Sequence, residues 1–177
     1  MPLSFSIQAT DGKARAGCLT TAHGVVQTPA FMPVGTRAAV TGLTAHELRE
    51  IGAEMILGNT YHLALRPGPE AMRQLGGLHR FMGWDRGILT GSGGFQIFSL
   101  AQDRVVTEDG ARFRSYVDGR EHLLTPESSI EVQEALGSDV MMVLDVCPPS
   151  SAPPAEVEAA MQRTHRWALR SLAARRS

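Results

Sequence analysis

Cysteine is scarce in this 177-residue sequence, which contains only Cys18 and Cys147. Two cysteines without a CxxC pair exclude a small disulfide-built scaffold and a cysteine-rich zinc module. The six histidines show neither HxH nor HExxH spacing, so no metal site is predicted within this chain. Sparse, unpaired cysteines are typical of the reducing cytoplasm, and we expect that location here.

Long apolar runs and a strong net charge are also missing. No stretch approaches the roughly 18 residues that cross a membrane, so no membrane partner is expected. The N-terminus has no basic stretch followed by an apolar one, and no secretory signal is predicted. The formal net charge is −1, which gives no global basic field of the kind that attracts nucleic acid.

Basic residues are nevertheless concentrated near the C-terminus, where they are all arginines. No acidic residue follows Glu158, whereas five arginines do: Arg163, Arg166, Arg170, Arg175 and Arg176. Such a run is typical of a solvated helix face, and a contact with RNA is the alternative.

The order of predicted elements indicates an α/β fold. Residues 3–32 predict a small antiparallel sheet with turns at Asp11-Gly12 and His23-Gly24. Short apolar strands then alternate with helices, which is typical of a parallel sheet. We expect strands at 54–57, 87–90 and 140–144, the last buried on both faces, helices at 44–52, 69–75, 125–137 and 155–174, and an inserted hairpin at 103–124. A complete (β/α)8 barrel needs roughly 250 residues, so three to four βα units form either an open α/β domain or a partial TIM-type barrel.

A glycine-rich segment follows the second predicted strand and is the sharpest local signal for a ligand site. It reads Gly91-Ser92-Gly93-Gly94-Phe95-Gln96. Glycine lets the backbone approach a ligand closely, and backbone N–H groups there can bind an anion or the edge of a base. Phe95 can stack on an aromatic ring, and Ser92 and Gln96 can form hydrogen bonds. The segment is neither a P-loop nor GxGxxG, and a tight turn without a ligand is the alternative.

Two other predicted strand ends carry polar side chains. Asp145 follows an apolar run, where a carboxylate must be hydrogen-bonded or paired to offset its desolvation. One carboxylate can accept both N1–H and the exocyclic amine of guanine, although a purely structural aspartate is the alternative. Cys147 lies beside it, and a buried free cysteine is commonly a small apolar residue. Asn59 ends another strand and suits either a ribose or phosphate contact or a hydrogen-bonded loop.

Together these strings resemble bacterial tRNA-guanine transglycosylases over essentially the whole chain. The matching segments, in order, are 28–36 (TPAFMPVGT), 57–63 (LGNTYHL), 65–68 (LRPG), 92–96 (SGGFQ), 136–139 (LGSD) and the pair Asp145-x-Cys147.

The resemblance implies a (β/α)8 barrel preceded by an antiparallel sheet, with a zinc subdomain near the C-terminus. It also implies exchange of guanine at tRNA position 34 for a 7-deazaguanine precursor of queuosine. One aspartate attacks the ribose and a second moves protons. Carried over by motif, the base pocket would comprise Gly91, Ser92, Gly93, Gly94 and Phe95, with Asp145 binding the base, Gln96 and Cys147 beside it and Asn59 near the ribose.

Three departures from the family pattern bear on activity. The family's Thr-Asp-Ser-Gly-Gly reads Thr90-Gly91-Ser92-Gly93-Gly94 here, so Gly91 stands where the proton-handling aspartate is expected. Loss of a general acid or base typically costs about 10²–10⁴ in rate. The family's Asp-Glu-Cys has Val146 at its centre here. The sequence also ends before the family's nucleophile and zinc ligands, so neither an intact catalytic residue nor a zinc cofactor is expected within it.

Two hypotheses follow. The chain is a truncated transglycosylase that is inactive alone, or it is a non-catalytic base-binding or partner subunit in a homodimer or a mixed complex. An unrelated small-molecule α/β domain would have to match six strings by accident. In either hypothesis we expect residues 1–33 to form the N-terminal sheet and residues 34–177 an incomplete barrel.

Overall fold

The structure, a computed structural model, describes residues 3–100 and 103–176 and has an α/β architecture. Within these residues, none of the helices has both the length and the apolar character that crossing a bilayer requires. The elements in chain order are β1 (Ser4–Asp11), β2 (Ala14–Thr21), β3 (Gly24–Thr28), α1 (Ala45–Glu50), β4 (Met55–Asn59), α2 (Thr60–Leu65), α3 (Pro69–Leu75), α4 (Gly77–Met82), β5 (Gly87–Gly91), α5 (Gly94–Leu100), β6 (Val105–Val106), β7 (Ala111–Arg114), β8 (Glu121–Leu124), α6 (Pro126–Leu136), β9 (Val140–Met141) and α7 (Pro154–Ala174).

The predicted N-terminal sheet is confirmed. Strands β1, β2 and β3 pair antiparallel in that order. The turn between β2 and β3 is closed by Thr21, whose hydroxyl donates to the Gly24 carbonyl at 3.0 Å and accepts from the His23 N–H at 3.1 Å. Threonine is suited to this role because its hydroxyl can bond to nearby backbone groups.

The predicted parallel sheet is also confirmed, in the order β4-β5-β9. Val34 adds a single parallel bridge to Leu57 on the outer side of β4. The third strand is shorter than predicted, because β9 covers only Val140–Met141 and not residues 140–144. The expectation that it is buried on both faces is wrong: β9 is half-buried and forms the edge of its sheet among the described residues.

Helix boundaries follow the capping signals closely. Thr44 and Glu47 form the predicted capping box at the start of α1. Thr125 caps α6, with Pro126 at its first position and Gly137 in the left-handed conformation after its last turn. The short helices α2, α4 and α5, of six or seven residues each, were not predicted, and α2 and α4 have no side-chain N-cap that would mark their starts.

The insertion at 103–124 is a three-stranded sheet, β6-β7-β8, and not the single hairpin that was expected. Tyr116 and Val117 lie in the turn between β7 and β8. Two clusters of buried apolar side chains hold the elements together. The first joins α1, β4, α2, α3, α4, β5 and α6, and the second packs the insertion against α5 and α7 through Phe113, Ile97 and the fully buried Trp167.

Candidate functional site

Asp145 lies just beyond the carboxyl end of the parallel sheet, where it meets the segment after β5. The Ser92 hydroxyl donates to Asp145 Oδ1 at 3.1 Å, and the Cys147 thiol donates to Oδ2 at 3.1 Å. Ser92 Oγ also accepts from the Gly94 N–H at 3.3 Å. Each carboxylate oxygen therefore receives one hydrogen bond from the protein and keeps acceptor capacity for a ligand.

Helix α6 holds the glycine segment in this position. The Ser129 hydroxyl donates to the Ser92 carbonyl at 2.9 Å, and both residues are buried. A side chain at Gly94 would overlap the Asp145 carboxylate, so glycine is required there by close approach. The structure brings four of the expected site residues together at one edge of the parallel sheet: Ser92, Gly94, Asp145 and Cys147.

Cys147 serves as a hydrogen-bond donor in this cluster. Burial, the hydrogen bond to Asp145 and the negative charge of that carboxylate raise the pKa of the Cys147 thiol to about 12. The thiol is therefore protonated at neutral pH, and it is not a nucleophile there because nucleophilic attack requires the thiolate.

Phe95 lies apart from the small cavity beside Asp145. That cavity has a volume of about 30 Å³ and is bordered by Gly94, Phe98, Cys147 and Trp167. The Phe95 side chain at the start of α5 is 59% exposed and contacts Phe98, with ring centroids 6.4 Å apart. A purine does not fit into so small a space, so base stacking on Phe95 stays a prediction. Gln96 lies half-buried on the same helix, and Gly93 is buried with a positive φ of 103°.

Gly91 and Asn59 are direct partners in the pairing of β5 with β4. A Cβ added at Gly91 would meet nothing closer than the Gly58 carbonyl oxygen at 4.0 Å, so a side chain has room there. Asn59 Oδ1 is buried and has no hydrogen-bond partner among the described residues. An unsatisfied buried acceptor is costly, so this position favours a donor from a ligand or a neighbouring group.

A second group of polar side chains follows Asn59. A ribose or phosphate contact and a hydrogen-bonded loop were the two alternatives at this strand end, but the chain turns directly into α2 at Thr60, because the Thr60 and Tyr61 side chains pack inside the protein. His62 Nδ1 lies 2.9 Å from the Tyr116 hydroxyl on the rim of a cavity of about 510 Å³, which Arg37, Arg66 and Phe81 also line. Burial and the charge of Arg37 lower the pKa of His62. The sequence gives no signal for this cavity, because Tyr116 lies 54 positions from His62 along the chain.

The arginines near the C-terminus are largely paired within the chain. Arg163 and Arg166 contact the Glu108 carboxylate, and Arg170 forms two hydrogen bonds to Glu127, at 2.7 and 2.8 Å. Arg170 also donates to the Glu108 carbonyl at 2.6 Å. These contacts tie α7 to the insertion and to α6, which favours the structural interpretation of the arginine run.

Comparison with known proteins identifies the family to which this chain belongs. A family model described as queuine tRNA-ribosyltransferase matches residues 10–177. Proteins of that name are similar to this chain: that of Fusobacterium nucleatum is 51% identical over 98% of the chain, that of Sorangium cellulosum 58% over 98%, and that of Zymomonas mobilis 54% over 95%. The chain covers 47%, 44% and 44% of those proteins, and so spans about half the length of the curated relatives it matches. Since the family model covers nearly all of it, the chain belongs to the queuine tRNA-ribosyltransferase family.

Proposed function

We propose that this chain forms the base-binding part of a tRNA-guanine transglycosylase, which exchanges guanine at tRNA position 34 for a 7-deazaguanine. The observation that carries the proposal is the Asp145 carboxylate, oriented by Ser92 and Cys147 beside Gly94 at a sheet edge. Carboxyl ends of parallel strands are the usual position of ligand sites in α/β proteins.

Guanine and 7-deazaguanine present two adjacent donors, N1–H and the exocyclic amine. Asp145 would accept both in a bidentate contact, while Ser92 and Cys147 hold the carboxylate in one orientation. A charge-assisted contact of this kind is about twice as strong as a neutral hydrogen bond. In this proposal the small cavity beside Asp145 widens when the base binds, and Phe95 rotates from its exposed position to stack on the base. Gln96 and Gly93 complete the pocket, and Asn59 lies on the ribose side.

We further propose that sheet β4-β5-β9 is the first part of a (β/α)8 barrel. Among the described residues no strand pairs with the outer side of β9, which supports this, because a barrel continues from such an edge. The antiparallel sheet within residues 1–33 would precede the barrel, and the three-stranded insertion at 103–124 would be an addition to it.

The exchange reaction itself is proposed to be weak or absent in this chain. Gly91 supplies no group that can accept or donate a proton where the family has its acid/base aspartate, and such a loss costs about 10²–10⁴ in rate. This observation favours the second candidate function, a non-catalytic base-binding or partner subunit of a transglycosylase complex that binds tRNA.

Calorimetric titration with a 7-deazaguanine tests base binding. We expect Asp145→Ala to weaken binding about 30-fold or more, because truncating one partner of a buried charged contact costs roughly 2–5 kcal/mol. Asp118→Ala, on the exposed turn of the insertion, is the matched control and should bind like the wild type. Equal affinities of the wild type and Asp145→Ala would refute the proposed pocket.

Transfer of labelled guanine into tRNA tests the proposed loss of exchange activity. Both candidate functions predict base binding with little or no incorporation by this chain alone. Incorporation by the wild-type chain at the rate of the Zymomonas mobilis relative would overturn that proposal.

A further inference from the structure

Three potential metal ligands meet at the opposite end of the parallel sheet from Asp145. They are His23 in the turn between β2 and β3, His79 in α4, and Asp139 immediately before β9. Their ligating atoms all lie within 4.8 Å of one another. In the part of the chain that the structure describes, no other group of three histidine, cysteine or acidic side chains has this geometry.

The carboxylate of Asp139 is the centre of this cluster. Its side chain is 1% exposed, with Oδ1 2.8 Å from His23 Nδ1 and Oδ2 3.3 Å from His79 Nε2. The Ile88 N–H donates to Oδ2 at 2.9 Å, which fixes the orientation of the carboxylate. The two imidazole rings stack with centroids 3.5 Å apart, and His79 Nε2 also lies 3.1 Å from the Arg86 carbonyl.

We propose that His23, His79 and Asp139 form a binding site for a divalent transition-metal ion of the zinc class. Two imidazole nitrogens and one carboxylate oxygen are donors that zinc accepts. Metal–ligand bonds of about 2.0–2.1 Å place the ligand atoms of a tetrahedral ion roughly 3.3 Å apart. His23 Nδ1 lies 2.8 Å from Asp139 Oδ1 and His79 Nε2 lies 3.3 Å from Asp139 Oδ2, and the ligating atoms all lie within 4.8 Å of one another, a spread that one ion can bridge.

The surroundings of the cluster fit a metal site in two further respects. The Ile88 N–H supports the carboxylate ligand from behind, as the outer contacts of metal sites generally do. The His23 side chain is 39% exposed, which leaves an entry path for the ion and room for water as a fourth ligand.

A bound ion would cross-link the N-terminal sheet to the parallel sheet. His23 belongs to the first sheet, whereas His79 and Asp139 contact the beginning of β5 and β9. Because the three residues are far apart in sequence, the unfolded chain has no such site, and binding stabilises the folded state by mass action. This site does not depend on the proposed base binding.

Titration of the chelator-stripped chain with zinc chloride, followed by calorimetry and thermal melting, tests the site. We expect one ion per chain and a rise in the melting temperature. His23→Ala should weaken zinc binding at least tenfold, because it removes a ligand. Even the loss of a residue that only hydrogen-bonds to a ligand costs about 10–100-fold in metal affinity. His46→Ala, on the exposed face of α1, is the matched control and should bind as the wild type does.

A second variant separates metal binding from a hydrogen-bonded clamp made by the same side chains. In His23→Gln the amide can still donate to Asp139 but is a poor ligand for zinc. The proposal predicts that this variant folds without metal and loses the zinc-dependent rise in melting temperature. Cobalt substitution should give visible d–d bands without an intense thiolate band, which excludes Cys18 and Cys147 as ligands. No zinc binding by the wild type, or unchanged binding by His23→Gln, would overturn the proposal.

Discussion

At the residue scale, two glycines in the same segment differ in whether the structure leaves room for a side chain. Gly94 adjoins the Asp145 carboxylate so closely that no side chain fits. Gly91 has an extended conformation in β5 and faces open space next to Asn59. The glycine at 94 is thus dictated by packing, whereas the glycine at 91 is not, so the structure itself does not exclude an aspartate at 91.

Alanine substitutions measure this contrast. Gly91→Ala should change the free energy of unfolding by less than about 1 kcal/mol, and in the stabilising direction, because glycine in a strand is costlier than alanine by roughly 0.5–1 kcal/mol. Gly94→Ala should destabilise by about 1–3 kcal/mol, because the added methyl displaces the Asp145 segment. Urea denaturation of both variants checks this, and equal effects would contradict it.

The thiol of Cys147 should react slowly with iodoacetamide. Its pKa of about 12 leaves very little thiolate at pH 8, and the thiolate is the reactive form. In a Cys18→Ser background, we expect alkylation of Cys147 at least tenfold slower in the folded chain than in urea. Asp145→Asn should accelerate the folded-state reaction, since it removes a negative charge that raises the pKa. Fast alkylation of Cys147 in the folded Cys18→Ser chain would show that Asp145 does not hold the thiol.

At the element scale, α7 is attached mainly through polar contacts of its arginines and through Trp167. The indole Nε1 of Trp167 donates to the Glu108 carbonyl at 2.8 Å, and Arg170 reaches both Glu127 and the backbone of the insertion. The insertion, α6 and α7 are therefore held by one connected set of hydrogen bonds, beneath which the second apolar cluster is buried.

Arg170→Ala should destabilise the chain by about 1–3 kcal/mol. The substitution removes two hydrogen bonds to the partly exposed Glu127 and further hydrogen bonds to two backbone carbonyls. Hydrogen bonds to charged groups contribute roughly 1.5–3 kcal/mol before screening by solvent. Arg175→Ala, at the exposed end of the same helix, is the control and should have little effect. The midpoint of urea denaturation is the measurement, and similar shifts for both variants would contradict the assignment.

At the scale of the whole molecule, long-range polar contacts join elements that are far apart in sequence. Glu108 in the insertion is one such contact, because Arg166 and Arg163 on α7 hold its carboxylate. The hydrogen bond and the charge of Arg166, followed by those of Arg163, lower the pKa of Glu108 from 4.5 to about 2.

This shift predicts how stability depends on pH. A lowered pKa in the folded state contributes stability that is complete above the unfolded value of 4.5 and is lost as pH falls towards about 2. The wild type should therefore exceed Glu108→Gln in stability at pH 7, and the difference should narrow between about pH 4.5 and pH 2. The effect is modest and shrinks at high salt, because the pair is exposed to solvent. A difference that stays constant with pH would contradict the prediction.

The sequence by itself determined the local features whose causes are local. Capping residues at Thr44 and Thr125, the turn at His23-Gly24 and the alternation of short strands with helices identified most elements and the parallel sheet. The family motifs also grouped Ser92, Gly94, Asp145 and Cys147 in one predicted pocket, and the structure brings these four residues together.

Only the tertiary structure decided the features that depend on distant partners. The length of β9 depends on the neighbouring strands, and the burial of Tyr61 depends on the insertion that packs over it. The room at Gly91, the pairing of the arginines with Glu108 and Glu127, and the meeting of His23, His79 and Asp139 all join residues separated by tens of positions. No local pattern encodes such contacts, since they arise from how the sheets and helices pack against one another.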